Sequence, residues 1–135
     1  MKPKPPSRVT GLGGVFFKVK DPKKLGAWYR KHLGLDVGDA WTGCTFAWRD
    51  AKRPAKKGST VWSLFPRDTK YLGGPEQGLM VNYRVANLKK VLAALKRERV
   101  WIDPQGIQKS EYGQFAWIRD GEGHRIELWQ PPRGA

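Results

Sequence analysis

A chain of 135 residues, 39% hydrophobic and with seven Trp, suffices for one globular domain that buries a core without cross-links. Its single cysteine, Cys44, excludes an internal disulfide and fits a reducing compartment. The 26 Lys and Arg against 12 Asp and Glu give a net charge of +14, which draws polyanions. These charges are scattered through Lys23 and Lys24, Lys52 to Lys57, Lys89 and Lys90, and Lys96 to Arg99. No helix-turn-helix, zinc-finger or RNA-binding signature accompanies them, so solvated surface charge is favoured over a nucleic-acid site. The opening MKPKPPSR is basic, but no apolar run follows it and none is long enough to span a membrane. A soluble cytoplasmic protein is expected.

Along the chain, Gly14 to Asp21 alternates Val15, Phe17 and Val19 with Gly14, Phe16 and Lys18, the period of a half-buried strand. Asp21 is placed to cap a helix that starts at Pro22, carries Leu25, Trp28, Tyr29 and Leu33 at helical spacing, and stops at Gly34. The pattern begins again at Met80. Val81, Tyr83 and Val85 share one strand face, Asn87 is the next cap, and Leu88, Val91, Leu92 and Leu95 form the second helical stripe. A literal echo supports the repeat: Phe46-Ala47-Trp48 returns as Phe115-Ala116-Trp117, each followed by a hairpin and a strand running to proline, Pro66 and Pro131. One domain of two βαβββ modules follows, 9–66 and 79–132, joined by a linker at 67–78, with a loose Pro/Lys-rich head and a loose PPRGA tail.

The more apolar strand faces belong beneath the helices. The opposite faces then carry Phe16 and Lys18, Met80, Asn82 and Arg84, and Arg125, Glu127 and Trp129. Setting Pro66 against Pro131 adds Thr60, Trp62 and Leu64, and Trp48 and Trp117 lie close enough in sequence to contribute. Such a surface serves as a small-molecule cleft, a second core or a dimer interface.

The segments GGVFFKVKDPKKLGAWYRKHLGL and EYGQFAWIRDGEGHRIELWQP resemble the opening and closing segments of the vicinal-oxygen-chelate superfamily, which includes glyoxalases, bleomycin-resistance proteins and dioxygenases. Gly121 stands where that family's turn proline is usual, and His124 where Asn is common. The resemblance spans about Val9 to Pro132. It implies an α+β fold in which tandem βαβββ modules form a curved mixed sheet around a cleft, and a homodimer. It also implies a divalent cation held by one ligand from each of four strands. In the register above those positions are Gly14, Trp62, Met80 and Glu127, with one oxygen donor among them, so no metal or other cofactor is expected. His32 and His124 read as surface residues.

Phe16, Lys18, Trp48, Trp62, Met80, Asn82, Arg84, Tyr112, Trp117 and Trp129 are the candidate ligand-binding set, and Glu127 the candidate catalytic residue. Glu111 and Tyr112 could add polar groups at the cleft mouth. The leading expectation is a metal-free cleft for a small aromatic or anionic molecule. The alternatives are a metal-independent isomerase or lyase using Glu127 as base, and a metal-dependent lyase or dioxygenase if the strand register is wrong. Glu127 could instead be satisfied by Arg84 or Lys18, with no functional task.

Overall fold

The computed structural model describes residues 8–135, so the expected loose head lies outside the described residues. Nine elements follow one another: β1 (Val9–Val19), α1 (Pro22–Leu33), β2 (Gly43–Arg49), β3 (Lys57–Pro66), β4 (Leu79–Val85), α2 (Leu88–Arg97), β5 (Gln108–Ser110), β6 (Gly113–Arg119) and β7 (Arg125–Gln130). The strands form one open mixed sheet in the order β2-β3-β1-β4-β7-β6-β5. Each half repeats one scheme: the first strand pairs in parallel with the last, and the last pairs antiparallel with the strand before it. The halves join where β1 runs antiparallel to β4. The second half is βαβββ as expected. Two strands follow α1 rather than three, because residues 34–42 form no strand.

Both helices begin where local chemistry dictates. The Asp21 carboxylate accepts from the Lys24 N–H and the Asn87 side chain from the Lys90 N–H, satisfying donors that the first helical turn leaves free. Gly34 closes α1 with φ 70°, a left-handed conformation that glycine adopts without Cβ strain.

The main core lies under α2. Val85, Leu88, Val91, Ala116, Ile118 and Leu128 pack there, flanked by Tyr83, Leu92 and Leu95. The α1 side is thinner: only Gly26 of that helix is fully buried, and Trp28 and Leu33 remain exposed.

Trp62 belongs to this helix side, which corrects its expected place in the cleft. Val15 pairs with Trp62, so the two side chains share a face, and the indole meets Phe17 and Tyr29 at ring distances of 5.5 and 4.8 Å. The error came from setting Pro66 against Pro131. Pro66 is still inside β3, paired with Val19, whereas β7 ends at Gln130. A one-residue phase difference exchanges every inward and outward side chain. Val61, Ser63 and Phe65 therefore face the cleft, in place of Thr60, Trp62 and Leu64.

The tail is also more ordered than expected. The Ala135 N–H donates to the Pro132 carbonyl, and the Arg84 guanidinium donates to the Ala135 main-chain oxygen. The segment joining the halves packs on the sheet: Leu72 is fully buried against Phe16, Met80 and Trp117.

Candidate functional site

One face of the sheet borders a half-open hollow of about 820 Å³. Strands from both halves supply its walls because their second faces are apolar rather than solvent-like. Phe16 comes from β1, Phe65 from β3, Phe115 from β6 and Trp129 from β7, with Trp41, Tyr71 and Tyr112 from the connections. Two aromatic pairs lie nearly parallel: Phe65 on Tyr71 at 5.6 Å and Phe115 on Trp129 at 6.1 Å. The charged side chains in the lining are Glu111 and Glu127.

Glu127 is the chemical centre. Only 1% of it is exposed, and three side chains donate to its carboxylate. Asn82 Nδ2 lies 2.6 Å from Oε1, Trp117 Nε1 lies 2.9 Å from Oε2, and the Tyr71 hydroxyl also donates to Oε2. The first two donors follow from strand pairing, since Asn82 and Trp117 are the register partners of Glu127 on β4 and β6. Burial holds the Glu127 carboxyl above the usual carboxylate range, and the three donors, with nearby Arg125, oppose that push. The Tyr71 hydroxyl is pushed well up by burial and by the adjacent carboxylate, so it remains a neutral donor.

A carboxylate oxygen accepts about two hydrogen bonds. Oε2 is filled by Tyr71 and Trp117, while Oε1 takes one bond, from Asn82, which leaves part of its acceptor capacity unused. Asn82 Oδ1 is buried without a hydrogen-bond partner.

The other expected site residues divide into three groups. Phe16, Asn82, Tyr112 and Trp129 line the hollow together with Glu127. Met80 and Trp117 form its closed floor with Phe16 and Leu72, so one end of this face is a small second core and the other an open cleft. Lys18, Trp48 and Arg84 lie outside the lining. Lys18 Nζ donates to the Gly74 carbonyl, and Trp48 Nε1 to Thr60 Oγ1. The Arg84 guanidinium carbon lies 5.4 and 5.0 Å from the Trp48 and Trp129 rings, and the group bonds the Ser59 carbonyl. Neither Lys18 nor Arg84 neutralises Glu127, which is held instead by neutral donors. His32 lies exposed beside Trp28, and His124 pairs with Asp120 in the last turn at 2.8 Å.

Tyr71 carried no periodic signal, because it sits in an aperiodic segment read as a linker. Ser63 and Phe65 were hidden by the phase error on β3, and an aromatic beside the Gly-Gly-Pro turn was the one available hint for Tyr71.

The corrected register still does not suit a divalent cation. From the four central strands, Phe16, Ser63, Asn82 and Glu127 face the hollow. Asn82 turns its NH2 toward the carboxylate, and hard cations need several converging oxygen or nitrogen acceptors. Among the described residues no group of three His, Cys, Asp or Glu could hold a metal ion. The residues present therefore do not fit the cation implied by the resemblance.

No protein-family model and no curated protein matches the chain. Solved structures do. Methylmalonyl-CoA epimerase from Mycobacterium tuberculosis is 22% identical over 93% of this chain and 91% of that one, with a TM-score of 0.58. A variant of the Streptomyces coelicolor methylmalonyl-CoA epimerase, in complex with 2-nitronate-propionyl-CoA, is 15% identical over 93% and 97%, with a TM-score of 0.69. A glyoxalase/bleomycin resistance protein/dioxygenase superfamily member from Vibrio splendidus 12B01 is 8% identical over 88% and 98%, with a TM-score of 0.54. At these identities the likeness is one of fold.

Proposed function

Because the chain has the fold of the glyoxalase/bleomycin-resistance/dioxygenase superfamily, a scaffold that carries many unrelated chemistries, we propose that it binds a small planar aromatic molecule in the cleft without a metal ion. The observation that carries this reading is the buried Glu127 carboxylate at the base of an aromatic-walled hollow, with one acceptor position still open. Stacked rings supply apolar area, and the open position on Oε1 selects a ligand that presents an N–H or O–H.

Calorimetric titration with 2-naphthol and 2-methoxynaphthalene isolates that hydrogen bond, since the second compound lacks the O–H. A bond to a charged group contributes about 1.5–3 kcal/mol, so the naphthol should bind roughly tenfold or more tightly. The preference should shrink in Glu127→Gln, whose amide oxygen still accepts but carries no charge. Failure of both compounds to bind would overturn the cleft reading. Equal binding of both would remove Glu127 from it.

A second reading has one observation in its favour. A carboxyl held above its usual range is a better proton acceptor near neutral pH, and two of the similar folds are epimerases. In this reading Glu127 removes a proton from a carbon beside a carbonyl and returns it. Exchange of that C–H for deuterium in D2O, present in the native protein and lost in Glu127→Gln, would support it. Absence of exchange across carbonyl compounds that bind would dismiss it.

A further inference from the structure

The aromatic cleft has a neighbour. A second hollow of about 550 Å³ shares Pro132 and Ala135 with it as boundary residues, so the terminal turn is the partition between them. Their chemistry is opposite. The cleft contains Glu111 and Glu127, whereas the second hollow is bordered by Lys56, Lys57, Arg84 and Arg133, with no acidic side chain in its lining.

These four cations come from the β2–β3 hairpin, from β4 and from the tail, so tertiary folding brings like charges together. The hairpin's own acid does little to cancel them, because Asp50 is engaged by the N–H groups of Lys52 and Arg53. Arg84 is only 6% exposed, lies near two indole rings and is tied to the Ser59 carbonyl through Nη1. Nη2 donates to the Ala135 main-chain oxygen, an acceptor on the very segment that divides the hollows. A buried guanidinium with its geometry set in advance is a strong receptor for carboxylate or phosphate oxygens. The neighbouring lysines and the net charge of +14 add longer-range attraction.

We propose that the ligand is an elongated molecule with a flat ring in the aromatic cleft and a carboxylate or phosphate in the basic hollow, where an anionic oxygen of the ligand replaces the Ala135 main-chain oxygen on Arg84. This rests on the cleft-binding reading above and names the part of the ligand which that reading leaves open. It also accounts for Arg84 and the hairpin lysines, which the cleft itself does not use.

The test is calorimetric titration with 2-naphthaleneethanol, 2-naphthaleneacetate and 2-naphthyl phosphate at low and high salt. The native protein is compared with a Lys56→Glu, Lys57→Glu double variant, whose changes lie on exposed side chains. One or both anions should bind the native protein at least tenfold more tightly than the alcohol. That advantage should shrink with added salt and shrink again in the double variant, which keeps Arg84, while alcohol binding stays unchanged; the stronger anion distinguishes carboxylate from phosphate. Anions that bind no better than the alcohol would overturn the basic subsite and leave the cleft reading standing. Failure of all three to bind would overturn both.

Discussion

Replacing Tyr71 by Phe removes one O–H and leaves nearly everything else in place. The ring can keep its stack on Phe65 at 5.6 Å and its edge contact with Trp117 at 6.2 Å. Glu127 Oε2 loses one of its two donors and keeps Trp117 Nε1 at 2.9 Å, while Oε1 keeps Asn82. A hydrogen bond to a charged acceptor contributes about 1.5–3 kcal/mol. The Tyr71 ring is 41% exposed, so water can take over part of that role, and a loss of about 1–2 kcal/mol is expected. For a domain of this size that is roughly 3–8 °C in Tm. The effect depends on pH in a definite direction. Burial raises the folded-state Glu127 pKa, so the stability associated with this group is fully present below the unfolded carboxylate range and is lost as pH rises through the folded value. The Tyr71 bond opposes that rise, and its removal lets burial push the carboxyl further up. The gap between native and Tyr71→Phe proteins should therefore open with increasing pH, level off once Glu127 is ionised in both, and narrow in acid. Thermal melts across a pH series measure it. Equal melting at every pH, or a gap that does not change with pH, would refute this assignment of the carboxylate's partners.

Glu127→Gln places a neutral isostere at the same point, and Asn82 can turn its unpartnered Oδ1 toward the new amide. Relative to native protein, this variant should gain stability as pH rises above the ordinary carboxylate range; a difference from native that stays constant with pH would contradict the raised carboxyl. A Cβ at Gly13 would fall 2.0 Å from Asn82 Oδ1, whereas one at Gly121 meets nothing within 4 Å. Gly13→Ala should lose about 1–3 kcal/mol through overpacking while Gly121→Ala stays within about 0.5 kcal/mol of native, and similar melts for the two would remove the close approach of β1 to Asn82. Arg84→Met strips the tail of its main anchor. Amide exchange at Ala135, whose N–H bonds the Pro132 carbonyl, should accelerate in this variant, and unchanged exchange would show that the turn holds without Arg84.

Local chemistry made much of the fold legible. Asp21 and Pro22, Gly34, and Asn87 mark helix ends because capping depends on residues only a few positions apart. Period-two alternation in β1 and β4 assigned their faces correctly, and the repeated Phe-Ala-Trp marked β2 and β6 as corresponding strands. Glu127 could be singled out because it is the one oxygen donor at the four strand positions that the family resemblance implies. What sequence could not determine was how the strands slide past one another. Pairing phase on β3 is set by long-range ladder contacts, and a single residue of slip moved Trp62 beneath α1 and brought Ser63 and Phe65 into the cleft. Nor could it show that Tyr71 and Leu72, in a segment without periodicity, fold back onto the sheet, because burial of an aperiodic segment depends on the hollow it covers. Residue identity and near-neighbour spacing decided the elements and their apolar faces. The tertiary structure alone decided which donors surround Glu127, because those donors converge from strands and a connection far apart along the chain.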